Sequence, residues 1–199
     1  ADALKEAISM GIDEAFLLSD KALAGSDTWS TAYALAKMIK KIGDYSLIIC
    51  GERATDGDTG QVGPEIASSL EIPVLSYVNK FIEIKENEIF VHRQVEEGSE
   101  ILSSSLPALL TVVKEVSDPR LPTLRGKLKA KKTIITCVKV DELDIAVEKI
   151  GLQGSPTRVS KIFRPKVARE CEKHFAKDPS KIGPAVNALA ALLNKKNLL

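Results

Sequence analysis

The chain of 199 residues is 44% hydrophobic and 28% charged, enough to bury the core of one domain with an appendage. A formal net charge of +1 excludes the global bias that marks nucleic-acid or membrane-surface binding, and no apolar run approaches the roughly 18–20 residues that cross a bilayer. Three widely spaced cysteines, Cys50, Cys137 and Cys171, give neither a disulfide framework nor a paired metal-ligand spacing, so a reducing compartment and no metal site are expected.

The opening ADALKEAISM places Leu4, Ala7 and Ile8 at helical spacing before Gly11, a helix that reads as already under way, with a segment upstream of Ala1 expected. EAFLL reads as a strand. Ser26 or Asp27 then caps a helix whose apolar face is Trp29, Ala32, Tyr33, Ala36 and Ile39 and which ends at Gly43. SLIIC is a short continuous apolar run of the kind buried on both faces of a parallel sheet. After a glycine-rich loop, Pro64 suits the first turn of a helix that continues through EIASSL. Helix and strand alternate as in a parallel α/β sheet.

The middle of the chain changes character. KFIEI and IFVHRQV flank the polar turn KENE, and EILSSS follows, which together predict an antiparallel excursion. PALLTVV returns to the central sheet, SDPRLPTLRG is a loop, KLKAKK is basic and TIITCVKV is a further strand. Residues 1–150 are read as a nucleotide-binding α/β domain. Residues 151–199 are read as an irregular arm with helices near Pro179 and Pro184, packing on a partner subunit, with packing on its own domain as the equal alternative.

The junction ATDGDTGQVGPEIA holds Gly57, Gly60 and Gly63 where a tight turn needs one glycine. The spacing G-x-x-G-x-x-G is neither the dinucleotide fingerprint nor a Walker loop. Its chemistry still suits an anion or a ribose: main-chain amides approach a ligand closely and the loop enters a helix amino end. Thr59 and Gln61 add short polar groups. Against this, Pro64 has no N–H and Glu65 already puts a carboxylate at the helix start. A structural turn remains the alternative at this level.

Three stretches carry a resemblance. CGERATDGDTGQVGPEIA, VHRQVEEGSEILSSSLPALLTVV and DPRLPTLRGKLKAKK occur in this order, and the chain resembles the β subunit of electron transfer flavoproteins from about Ala1 to the SPTRVSKIF segment. The middle stretch has the family pattern of Arg93, the acidic turn Glu96, Glu97 and Gly98, then Glu100 and Pro107 followed by ALLT. The resemblance implies a Rossmann-like, adenine nucleotide alpha hydrolase-like fold, mostly parallel, with an antiparallel excursion and a C-terminal arm. It also implies an electron carrier rather than a stand-alone enzyme, acting as a heterodimer with an α subunit. The family carries electrons from acyl-CoA or other dehydrogenases, or from NADH in its bifurcating branch, to downstream acceptors. The implied location is cytoplasmic, or the mitochondrial matrix in a eukaryote.

Carried over by position, the resemblance implies an adenine nucleotide held by Gly51, Asp56, Gly57, Asp58, Thr59, Gly60, Gln61 and Val62. The AMP-binding branch has an acidic residue at position 57 and an asparagine at position 60. Glycines there match the bifurcating and nitrogen-fixation-associated branch, so FAD is expected, with AMP as the alternative. The family's first strand and following loop, which also line the nucleotide, have no counterpart here. Leu124, followed by Arg125, matches a protruding loop that docks into partner dehydrogenases; its lysine-rich continuation lacks aromatic interleaving and is read as a solvated face rather than a nucleic-acid site. The rival reading is a non-redox adenine-nucleotide-binding regulatory module of similar fold. Elsewhere, His92 reads as a strand residue, Cys171 and His174 as an unremarked tail pair, and Trp29 as core packing with a nucleotide-facing alternative. No catalytic side-chain set is evident.

Overall fold

The computed structural model describes residues 1–163, 173–175 and 177–198. Helix α2 (Thr28–Ile42) starts where the Asp27 carboxylate accepts the Ser30 N–H at 3.0 Å, and it ends at Gly43, whose φ of 89° suits a residue without a β-carbon. Helix α1 (Asp2–Ser9) precedes strand β1 (Phe16–Leu18). Strand β2 (Leu47–Gly51) leads through the glycine loop to helix α3 (Val62–Leu70). Strands β3 (Val74–Ile84), β4 (Glu88–Val95), β5 (Gly98–Ser105) and β6 (Ala108–Val112) follow. Helix α4 (Leu124–Lys132) and strand β7 (Thr136–Val138) lead to the short α5 (Gly151–Gly154), and α6 (Ile182–Lys195) lies near the C-terminus.

The larger sheet runs β2-β6-β3-β4-β5, and β1 with β7 forms a separate parallel pair. Three of the five strand pairings are parallel; β3–β4 and β4–β5 are the antiparallel excursion. The α/β class and the excursion therefore stand as expected. Neighbouring Leu109 and Leu110 on β6 show the period of two directly. Leu109 packs with Ala32, Ala36, Ile66 and Ala67 beneath α2 and α3, whereas Leu110 packs with Leu75, Val78, Ile89 and Val91 on the other face. Helix α2 serves both sheets, since its Met38 lies in a cluster with Val138 of β7 and its Ala34 in one with Val140, two residues further on.

Several expectations are corrected. The strand expected at KFIEI begins at Val74, six residues earlier, because apolar residues 74, 75 and 78 pair with β6. TIITCVKV shortens to the three residues of β7, which pair with β1. The basic stretch after Leu124 is helical: the Thr123 hydroxyl accepts the Gly126 N–H at 2.9 Å, and leucine, lysine and alanine continue the helix. A β-carbon on Gly126 would collide with the Ser9 carbonyl, which is how closely α4 lies on α1.

The chain divides into compact units at residues 1–159 and 160–199. Residues 151–157 stay with the first unit because polar groups tie them to the start of α2. The Asp27 carboxylate accepts from the Thr157 N–H and hydroxyl at 2.9 and 2.8 Å, and the Asp27 N–H donates to the Ser155 hydroxyl at 2.8 Å. Burial alone would raise the Asp27 pKa, but hydrogen bonds from Ser30, Thr157 and Ser155 outweigh it and hold the carboxyl below its ordinary range. A depressed carboxylate contributes stability above its unfolded pKa and loses it as pH falls through the folded value. Asp27→Ala is therefore expected to cost about 1–2 kcal/mol at neutral pH, with the gap to wild type narrowing below about pH 4. Urea midpoints across pH test this; a gap that stays constant in acid would contradict it. In the second unit, Ile182, Val186, Leu189 and Leu192 form an exposed apolar stripe on α6. Among the described residues no helix is long and apolar enough to cross a membrane.

Candidate functional site

Parallel pairing of β2 with β6 sets Gly51 level with Val112, and the Glu52 N–H donates to the Val112 carbonyl at 3.0 Å. Chain leaving β2 therefore emerges at the carboxyl edge of the sheet, where α/β proteins bind ligands. The loop closes on itself through the Asp58 N–H to the Ala54 carbonyl at 2.9 Å, with Asp58 and Gly60 both in left-handed conformation. It then enters α3 at Gln61, whose side chain makes no capping bond. The first amides of α3 thus lack a side-chain acceptor from the usual capping position. They border a cavity of about 300 Å³ lined by residues 50–54 and 59–63 and by Thr31 of α2.

The three glycines do different jobs. Gly60 sits at φ 66°, a conformation that side chains with a β-carbon resist. Gly63 is there for packing: a β-carbon would lie 2.5 Å from Thr111 Cγ2 of β6. At Gly57 the same atom would meet nothing closer than 3.9 Å, so a larger residue fits. Of the expected site residues, Gly51, Thr59, Gly60, Gln61 and Val62 line the cavity. Asp56, Gly57 and Asp58 do not: Asp56 accepts the Gly57 N–H, and Asp58 pairs with Arg53. They shape the loop from outside.

Thr31, Glu52 and Arg53 line the cavity without having been expected there. Arg53 Nε lies 3.6 Å from Glu52 and its Nη1 3.3 Å from Asp58, and those two charges raise its pKa further. Glu65, in the first turn of α3, is pushed up by burial, opposed by a hydrogen bond from the Thr28 hydroxyl and reinforced by the Asp27 charge. Its Oε2 is buried without a hydrogen-bond partner in the protein. Burial likewise raises the Cys50 thiol, which keeps it a poor nucleophile.

A second, larger cavity of about 680 Å³ adjoins the first and is lined by Glu52, Arg53, Tyr77, Gln94, Glu96 and Glu115, among others. Tyr77 stands on a bulge of β3 at φ 58°. Its position in the strand pattern carried no signal of this role.

Other candidates lie apart. Leu124 is the first residue of α4 rather than the tip of a loop. It is 78% exposed and is flanked by exposed Leu121 and Leu128; Arg125 beside it is exposed too. Trp29 stacks on Tyr33 with ring centroids 5.9 Å apart and is exposed, so it is neither core nor part of the cavity lining. His92 pairs with Lys80 and Ile101 in the sheet. Cys171, half of the tail pair with His174, lies outside the described residues. Among the described residues no cluster of histidine, cysteine or carboxylate groups suits a metal ion.

Residues 1–143 match the Electron transfer flavoprotein domain family. Electron transfer flavoprotein subunit beta of Thermoanaerobacterium thermosaccharolyticum is 41% identical over 198 residues, 99% of this chain and 74% of the relative. Subunit CarD of the caffeyl-CoA reductase-Etf complex of Acetobacterium woodii is 44% identical over 165 residues, 83% of this chain and 63% of the relative. Protein FixA of Azotobacter vinelandii is 39% identical over 203 residues, 97% of this chain and 71% of the relative. The chain thus spans 63% to 74% of the length of these relatives. With a domain match over most of its length and relatives named as beta subunits and FixA proteins, this chain belongs to the electron transfer flavoprotein family.

Proposed function

We propose that the cavity over the glycine loop binds an adenine nucleotide, FAD in preference to AMP, and that the chain is the nucleotide-binding half of a heterodimer with an electron transfer flavoprotein α subunit. The observation that carries this reading is the amino end of α3, without a side-chain cap, opening into a cavity at the carboxyl edge of the sheet. Main-chain amides and the helix dipole favour a phosphate there. The family relation supports the redox role. Gly51, Thr59, Gly60, Gln61 and Val62 hold the nucleotide; Asp56, Gly57 and Asp58 keep the loop in shape. A bound flavin supplies the electron chemistry, and the protein's contribution is to bind and orient it. Electrons pass from a dehydrogenase or NADH to a downstream acceptor, in the cytoplasm. The apolar stripe on α6 supports a partner-facing role for the C-terminal unit.

Mass spectrometry of the denatured full-chain complex with its α subunit tests the reading. An adenine nucleotide in amounts matching this chain, beyond any held by the α subunit, is expected; none beyond the α subunit's own would overturn it. A preference for ATP or AMP with no flavin retained would favour the regulatory module instead.

The same assembly tests the docking role of Leu124. One exposed apolar anchor gives fast, exchangeable binding. Leu124→Glu is expected to slow electron transfer from a partner dehydrogenase by about tenfold or more, since hot-spot losses reach 2 kcal/mol, while bound cofactor is retained. Stability should shift by less than about 0.5 kcal/mol because the side chain is exposed. Unchanged transfer would remove Leu124 from the docking surface.

A further inference from the structure

Helix α4 presents its largest apolar side chains to solvent. Residues four apart share a helix face, and residues two apart lie about 200° around the axis. The face against α1 is fixed by Gly126, where a β-carbon would collide with the Ser9 carbonyl, and by Ala130, which is buried. Leu124 and Leu128 each stand two residues before one of these. Their row therefore lies on the opposite side of the helix, 78% and 55% exposed. Leu121, three residues before the helix, is 85% exposed. Packing within the chain does not account for these leucines.

Cations border the row on both sides. Turning about 100° per residue from Leu124, Arg125 and Lys132 fall on one flank and Lys127 and Lys131 on the other, all four exposed. Lys129 turns away, its ammonium 3.5 Å from the Ile12 and Asp13 carbonyls. Among the described residues none of the four flanking cations makes an ion pair with a carboxylate, although Asp2 and Glu6 of α1 share a cleft with Lys127 and Lys131.

Charge is segregated along the chain as well. Residues 120–132 hold six of its 28 lysines and arginines and none of its 27 aspartates and glutamates. The remainder, with 22 basic against 27 acidic residues, carries a net charge of −5. A near-neutral total thus conceals a cationic pole on an anionic body. Beside an anionic plane the pole is drawn in and the body repelled, which turns α4 toward that plane. One apolar anchor in one pocket suffices for protein docking. An apolar row with cations on both flanks suits a flat anionic face, where leucines enter the acyl boundary and long basic stems reach headgroup phosphates.

We propose that α4 lies on the surface of an anionic phospholipid bilayer, with Leu124 and Leu128 in the acyl boundary and Arg125, Lys127, Lys131 and Lys132 at the headgroups. At nine residues the helix rests on the bilayer and does not cross it. The contact is peripheral and reversible, is independent of the adenylate reading, and excludes a dehydrogenase docked on the same leucines.

Co-sedimentation of the full-chain complex with its α subunit on phosphatidylcholine vesicles, with and without phosphatidylglycerol, tests it. Wild type should bind the anionic vesicles about tenfold more tightly than the neutral ones and lose that advantage in high salt. Lys127→Gln and Lys131→Gln should each weaken anionic binding about fivefold, and Leu128→Gln about fivefold as well. Glutamine is about as good a helix former as either residue it replaces, so α4 is kept. Lys40→Gln, an exposed cation on α2, should bind within about twofold of wild type. Equal binding to both vesicles, or none to either, would overturn the proposal and leave the face to a protein partner. Wild-type binding by Leu128→Gln would reduce the contact to adsorption of charge and overturn it too, as would a loss in Lys40→Gln equal to that in Lys127→Gln.

Discussion

Gly63→Ala is expected to destabilise the protein by about 1–3 kcal/mol, the usual cost of overpacking a well-filled interior. The new β-carbon would lie 2.5 Å from Thr111 Cγ2, with Leu109 Cδ2 at 3.6 Å and Cys50 Cβ at 3.7 Å behind it. Thr111 cannot swing its methyl aside freely, because the hydroxyl on the same β-carbon accepts the Tyr77 N–H. Rotation would exchange a clash for a lost hydrogen bond at a strained residue, worth about 0.5–1.5 kcal/mol. The alternative is for α3 to lift from β6, which opens the cluster around Ile66, Ala67 and Leu109. Thr111→Ser removes the methyl and keeps the acceptor, so the double variant should recover most of the loss. Urea denaturation of the four proteins in this cycle measures the coupling. Penalties that simply add would show that Gly63 and Thr111 do not share one tight contact. Gly57→Ala, with open space around it, is the comparison and should be close to neutral.

That contrast shows how far the glycine motif could be read from the chain. Three glycines at a strand-to-helix junction signalled a permissive backbone, and Gly60 meets that description. Nothing in the residue types separated it from Gly63, whose reason is a threonine 48 residues later in the chain, or from Gly57, which the packing does not require. Tertiary neighbours made the distinction. Asp56 and Asp58 were grouped with the ligand because they stand in the motif, yet they turn to a loop amide and to Arg53. Tyr77 was invisible for a related reason: SYVNK reads as ordinary strand, and only the offset between β3 and β6 reveals the bulge.

The fold was legible where periodicity was strong. Helices α1 and α2, strand β2 and the β3–β5 excursion follow from apolar spacing and turn residues. The start of α4 was hidden by a proline-rich approach and a glycine at its third position, although Thr123 is a capping residue type. The first unit extends past 150 because serine, threonine and aspartate side chains bind residues 151–157 to α2, contacts that leave no periodic trace.

Gly60→Val carries the largest expected effect on binding. A β-branched residue at φ 66° stores about 1–3 kcal/mol of strain, and relief requires the peptide planes on either side of residue 60 to rotate. Those planes present the amides that lead into α3, so the groups proposed to hold the phosphate would be misaimed. The added carbons would also fill the space between the Glu52 carbonyl and the Tyr77 hydroxyl. AMP affinity is expected to fall by about tenfold or more, equivalent to one lost charge-assisted hydrogen bond, measured by calorimetry at a temperature where the variant is folded. Gly60→Asn separates backbone from bulk. Asparagine accepts the left-handed turn at lower cost, so it should preserve AMP binding. If Gly60→Val loses stability yet binds AMP like wild type, the loop is a turn and the nucleotide lies elsewhere.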